Sequence, residues 1–205
     1  MNRHWTEWPI AAVSLNPIRG EQRDYYAFCD ICVVLHHPTG IRETVVDCRT
    51  RCLTRWGEHK CIGDFTSLET ERFDLVGWRY LQAAREVRGV LETICFGVKG
   101  ALPMAVNPAL CRKLLYKAVR LEEGPKRDLF DKDGVFMLRE RSRWLDLGRW
   151  RRAMPQAEPF SGLKATPLVR VHEALDRLPI YSAALGTDPF STVSELLDWQ
   201  ERLPP

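Results

Sequence analysis

Four cysteines in the first third of the chain have a spacing that could hold a metal ion. Cys29 and Cys32 form one close pair, Cys48 and Cys52 a second, and His59 and Cys61 follow. Two thiol pairs divided by an intervening stretch are the grammar of a structural zinc site, in which four sulfurs converge on one tetrahedral ion. The strand period works against it. Tyr25 to His36 alternates, with Ala27, Cys29, Ile31, Val33 and Leu35 on one face and Phe28, Asp30, Cys32, Val34 and His36 on the other. Cys32 therefore points away from Cys29. A turn at His37-Pro38-Thr39-Gly40 pairs Cys29 with Cys48 across the hairpin, with Cα atoms about 4.5–5.5 Å apart. Buried cross-strand thiols are expected, and no cofactor. Cys29, Cys48, Cys52 and Cys61 remain the residues that an alternative zinc- or redox-dependent module would use.

Nucleophilic chemistry at a cysteine needs a lowered pKa and a base within hydrogen-bond reach. His59 beside Cys61, with Asp47 and Asp64 as carboxylates, is the combination from which an enzyme would be assembled. Cys111, in the first turn of an expected helix and beside Arg112, gains some thiolate character from the helix dipole; a core contact is the expected role. Asp131-Lys132-Asp133-Gly134 with Glu140 approaches a calcium loop, but the first ligand position falls on Leu129, which cannot coordinate. That stretch is expected to be a turn.

Charge gives the sharper signal. Residues 112–152 hold thirteen Lys or Arg against seven Asp or Glu, while the whole chain carries only +3. Charge gathered into one stretch of an otherwise balanced protein attracts a polyanion or an acidic protein surface. Trp144 and Trp150 stand among Arg143, Arg149, Arg151 and Arg152, a mixture used to stack bases and to anchor protein interfaces. Lys126, Arg127, Arg139, Arg141, Arg143, Trp144, Arg149, Trp150, Arg151 and Arg152 are the expected contact residues for a nucleic-acid backbone or an acidic protein partner. Asn107-Pro108 opens a helix, Gly124-Pro125 stops it, and a basic hairpin over 126–139 follows with Arg141 and Arg143 beyond. This passage resembles the helix-to-wing step of winged-helix DNA binders. The similarity is confined to that stretch; the β-rich first third departs from that family's plan.

The elements that must position these groups follow from periodicity. Ile10 to Leu15 is an apolar run ended by Asn16-Pro17, and Ile41 to Cys48 is the return strand after Tyr25–His36. Phe73, Val76, Tyr80, Ala84, Val87, Leu91 and Ile94 recur at helical steps, which predicts a long helix over 67–95 ended near Gly97. A helix over 108–122 turns Leu110, Leu114, Leu115, Ala118 and Leu121 inward. Pro155 and Pro159 mark a linker, and two short helices, 167–178 and 192–203, close the chain.

With 45% hydrophobic residues, 28% charged residues and seven tryptophans, the chain fits a globular protein with a real core. It holds no apolar run near the roughly 20 residues that span a bilayer, and its first residues lack a secretory core. A cytoplasmic protein without membrane contact is expected. The fold class expected is α+β: an N-terminal antiparallel sheet of three to five strands on a long central helix, then a helix–hairpin unit and two C-terminal helices. Residues 1–205 read as one domain, with a sub-boundary near 153–165 between a 1–152 core and a 166–205 helical pair. The function expected is a non-enzymatic intracellular regulator or inhibitor that binds through the basic segment.

Overall fold

The computed structural model describes residues 4–19, 25–49, 60–61, 93–94, 98, 100–121, 143–162 and 164–205. An antiparallel meander opens the fold: β1 (Ile10–Arg19), β2 (Tyr25–His36) and β3 (Arg42–Arg49). β4 (Lys60–Cys61) pairs with the far end of β1. β5 (Leu102–Ala105) then runs parallel to β1 on its other side, and β6 (Leu145–Asp146) runs parallel to β5. The sheet order is β3-β2-β1-β5-β6. The α+β class stands, but the sheet is mixed rather than purely antiparallel. β5 and β6 are too short to show a period of two, which is why sequence patterning passes over them.

Four helices are described: α1 (Pro108–Leu121), α2 (Leu147–Arg152), α3 (Pro167–Leu185) and α4 (Val193–Gln200). Of the long helix expected over 67–95, Thr93 and Ile94 are described; both are helical and Ile94 is buried. The rest of that helix, and the hairpin expected over 126–139, lie outside the described residues.

Every residue from Ile31 to Leu35 is buried, so β2 is covered on both faces. One face carries Ile10, Ala12, Cys32, Val34, Leu102 and Met104 against Val171, Ala174, Leu175 and Leu178 of α3. By alternation Val13, Leu15, Ile31 and Val33 point to the other face, and α1 lies against β1 and β2 with Leu114 and Leu115 fully buried. The 153–165 connection is tied to α3. Arg177 donates to the carbonyls of Glu158 (2.8 Å) and Pro159 (3.1 Å), and its guanidinium lies 4.9 Å from the Phe160 ring centre.

Three expectations need correction. β1 does not end at Asn16-Pro17. It continues to Arg19 because β2 accommodates the proline with an extra residue, Cys29, between the Asn16–Asp30 and Pro17–Phe28 pairs. Cys29 does not face Cys48 either. The connection is five residues, His37–Ile41, so the ladder begins at His36–Arg42, and a further extra residue, Val45, moves Cys48 opposite Ile31. Finally, α3 does not stop at Leu178. Pro179 lies on an exposed position, so its ring does not disturb the buried stripe of the helix. The buried stripe continues through Tyr181 and Ser182 to a left-handed C-cap at Gly186 (φ 63°).

Candidate functional site

Past the carboxyl end of β5, along the middle of β1, the sheet opens into a cleft of about 280 Å³. β1 is the strand at which the pairing changes from antiparallel, with β2, to parallel, with β5. β1 supplies Ala12 and Ser14, β5 supplies Met104, and α3 supplies Arg170, Val171 and Ala174. Leu110 and Cys111 of α1 form the end wall. α1 starts there because the Asn107 Oδ1 accepts from the Leu110 N–H (3.1 Å), with Pro108 at the first helical position.

Arg170 is held by the sheet. Its guanidinium donates to the Leu15 carbonyl (3.1 Å) and to the Asn16 Oδ1. Asn16 is fully buried and donates through Nδ2 to the Asp30 carboxylate at 2.9 Å. Buried polar groups of this kind specify a geometry when they are satisfied, and this chain of contacts joins β1, β2 and α3. On the end wall, burial pushes the Cys111 thiol up to about 12; the Arg170 charge works against that rise and Asp146 adds to it. The thiol is protonated at neutral pH. The dipole of α1 does not activate it, as expected for a core contact.

Beside the cleft, β6 passes directly into α2, and Asp146 caps that helix by accepting from the Arg149 N–H (2.8 Å). Burial pushes the Asp146 carboxyl up, against the Arg149 N–H and the charges of Arg152, Arg149 and Arg112. Three guanidiniums thus act on one carboxylate. Gly148 lets this corner close: a Cβ there would lie 2.2 Å from the Val106 carbonyl oxygen.

The residues expected from sequence to make contacts divide sharply. Trp144 is 3% exposed and Trp150 fully buried. The Trp150 Nε1 donates to the Gln200 Oε1 (2.9 Å), and its ring meets Trp5 and Trp199 edge-on. These indoles are core, and their faces are not available to a base or a partner. Arg143 pairs with Asp198 (2.8 Å), Arg149 with Glu201 (2.9 Å), and the Arg151 Nε donates to the Ala157 carbonyl (3.3 Å). Arg152 is exposed. Lys126, Arg127, Arg139 and Arg141 lie outside the described residues.

Among the alternative metal and catalytic residues, Cys52, His59 and Asp64 lie outside the described residues. Cys48 is on β3 and Cys61 on β4, with β2 and β1 between them. Three strand spacings put their backbones roughly 14 Å apart, too far to share one tetrahedral ion. Asp47 is exposed on β3, opposite Cys32. No group of three or more His, Cys, Asp or Glu residues placed to hold a metal occurs among the described residues. No helix among them is long and apolar enough to cross a membrane.

Sequence reading missed Arg170 and the Asn16–Asp30 pair. The available signal was Ser14 and Asn16 interrupting an apolar strand. Polar groups there must find partners, but Asn16-Pro17 reads more simply as a stop. No protein-family model, curated protein or solved structure matches this chain.

Proposed function

We propose that this chain is a non-enzymatic binding protein, a small regulator or inhibitor, whose basic segment 112–152 engages a nucleic-acid backbone. The observation that carries the reading is the excess of thirteen Lys or Arg over seven Asp or Glu within residues 112–152. Trp144 and Trp150 lie in the core, so neither indole is an aromatic anchor for a partner. Hot spots of protein interfaces are typically buried aromatic and Arg groups, whereas a phosphate backbone is held mainly by cations. That balance favours the nucleic acid over the acidic protein. The protonated Cys111 thiol in the cleft fits a binding role better than a nucleophilic one.

The test is an anisotropy titration of mixed-sequence DNA and RNA at about 0.15 M salt, where non-specific binders show dissociation constants of roughly 10⁻⁴–10⁻⁶ M. Replacing Lys126, Arg127, Arg139, Arg141 and Arg152 with Gln should weaken binding. Each lost phosphate contact should reduce the log–log salt slope by about 0.9. Arg143→Gln, which removes a side chain already paired with Asp198, should have the smaller effect. Absence of binding at about 100 μM protein would exclude the nucleic-acid reading and direct the search to an acidic protein.

A further inference from the structure

We propose that the cleft bounded by the middle of β1, the carboxyl end of β5 and the first two turns of α3 binds a small neutral organic molecule. Its ligand would have a compact aromatic or branched apolar body and no charge of either sign. This inference does not rest on nucleic-acid binding by the basic segment.

Small residues on facing elements make the space. Ala12 on β1 and Ala174 on α3 both line the cleft, and Gly162 lines it from the connection before α3. Packed interiors leave few voids larger than a water molecule, whereas this cleft holds about 280 Å³. That is near the lower end of the roughly 300–1,000 Å³ of small-molecule pockets and suits a body of one substituted ring. Ala12, Met104, Val171 and Ala174 are buried, while Ser161 and Gly162 are exposed, so an apolar floor lies below an accessible rim. β1, β5, α1 and α3 form most of the wall, and rigid elements limit the ordering cost of binding.

The lining selects against charge. Arg170 is the charged residue among the described residues that line the cleft, and its Nη2 is committed to the Leu15 carbonyl and the Asn16 Oδ1. A carboxylate on the apolar floor would lose its water and find an arginine already engaged by the sheet. An ammonium would meet the same positive charge with no carboxylate on the described lining. Either ion gives up hydration without gaining a partner, which is costly. The Cys111 thiol in the end wall is held protonated by burial and adds no charge. The remaining polar residues, Ser14, Asn107 and Ser161, are neutral and suit one hydroxyl or carbonyl on a ligand. An ordered water needs two to four polar partners, so water over the apolar floor is weakly held, and an apolar group that displaces such water gains affinity.

The experiment uses the full chain and three ring probes of matched size: benzyl alcohol, benzoate and benzylammonium. Calorimetry should show benzyl alcohol binding with a dissociation constant on the order of 1 mM, well inside the ceiling for a ligand of its size. Each ion should bind at least about tenfold more weakly. Ring-current shifts in methyl NMR spectra should fall on Met104, Val106 and Val171, which line the cleft. Gly162→Leu is the blocking variant: a Cβ there meets nothing within 4 Å, so the fold should tolerate a side chain that fills the rim. Loss of benzyl alcohol binding in folded Gly162→Leu supports the site. If that variant does not fold, the methyl shifts and the comparison with the ions still decide. An ion that binds as tightly as benzyl alcohol, shifts that miss those methyls, undiminished binding to folded Gly162→Leu, or no binding at about 20 mM benzyl alcohol would each overturn the proposal.

Discussion

Trp150 decides between two physical roles, and truncating it to alanine separates them. The indole is fully buried, lies 6.5 Å from Trp5 and 5.9 Å from Trp199 between ring centres, and donates to Gln200 at 2.9 Å. Removing a buried aromatic side chain costs about 3–5 kcal/mol in lost transfer energy and residual cavity. The lost hydrogen bond adds little. Gln200 Oε1 still accepts from the Asp146 N–H at 2.8 Å, and its Nε2 still donates to the Trp144 carbonyl at 2.9 Å, so no buried acceptor is orphaned. Trp150→Ala should therefore lose about 4 kcal/mol in urea unfolding analysed by linear extrapolation. For a domain whose total stability is of order 5–15 kcal/mol, that is a severe loss. Trp150→Phe, which keeps a ring and removes the N–H, should lose about 1–2 kcal/mol. A surface stacking ring would behave differently, with stability changing by about 0.5 kcal/mol or less while binding fell. A loss below about 1 kcal/mol for Trp150→Ala would refute the core assignment and restore the indole to the binding surface.

Other outcomes follow from the same geometry. Gly148→Ala should be among the most destabilising small changes, lowering the melting temperature by several degrees, because its Cβ would lie 2.2 Å from a backbone oxygen. Thr192→Ala should cost about 0.5–2 kcal/mol in urea unfolding, since Thr192 and Glu195 satisfy each other's backbone N–H groups at the start of α4. Cys111 should escape alkylation in the native protein at pH 8 and react after unfolding, read by peptide mass mapping, because burial raises its thiol to about 12. Asp146 tests the sign of a carboxyl raised by burial. Its contribution to stability is fully present below the ordinary aspartate value and declines as pH rises through the raised folded value. Asp146→Asn keeps a side chain that can cap α2, so unfolding curves across pH should show the variant gaining on the wild type as pH climbs through that window. A constant difference would show that the carboxyl titrates alike in both states.

How much of this was legible beforehand depends on whether the deciding interaction was local. The span Tyr25–His36 and the helix start at Asn107-Pro108 were readable because alternation and capping are properties of neighbouring residues. The hairpin register was not. It turned on a five-residue connection and on the single extra residue Val45, and insertions of that kind leave the hydrophobic pattern almost unchanged while moving every partner. Pro179 carried the right local rule and the wrong answer: a helix end was predicted, yet packing of Tyr181 and Ser182 holds the helix together across it.

The site shows the same division more strongly. The excess of charge in 112–152 is a count, so it could be read directly; which side chains reach the surface is a matter of packing. Trp144-Leu145-Asp146-Leu147-Gly148-Arg149-Trp150 reads as an aromatic, cationic patch, but both indoles are buried, with Trp150 held by its Nε1 bond to Gln200 and the backbone of Trp144 held by the same side chain. Arg170 lies far along the chain from Ser14 and Asn16, and nothing local marks it out among 23 arginines. It acquires a role only when α3 packs across β1, because the carbonyl of Leu15 and the amide of Asn16 then fix its guanidinium at the edge of an apolar cleft. Chemistry that depends on which helix crosses which strand is not encoded in spacing, so the cleft, rather than the basic segment, is the part of this molecule that only the fold could reveal.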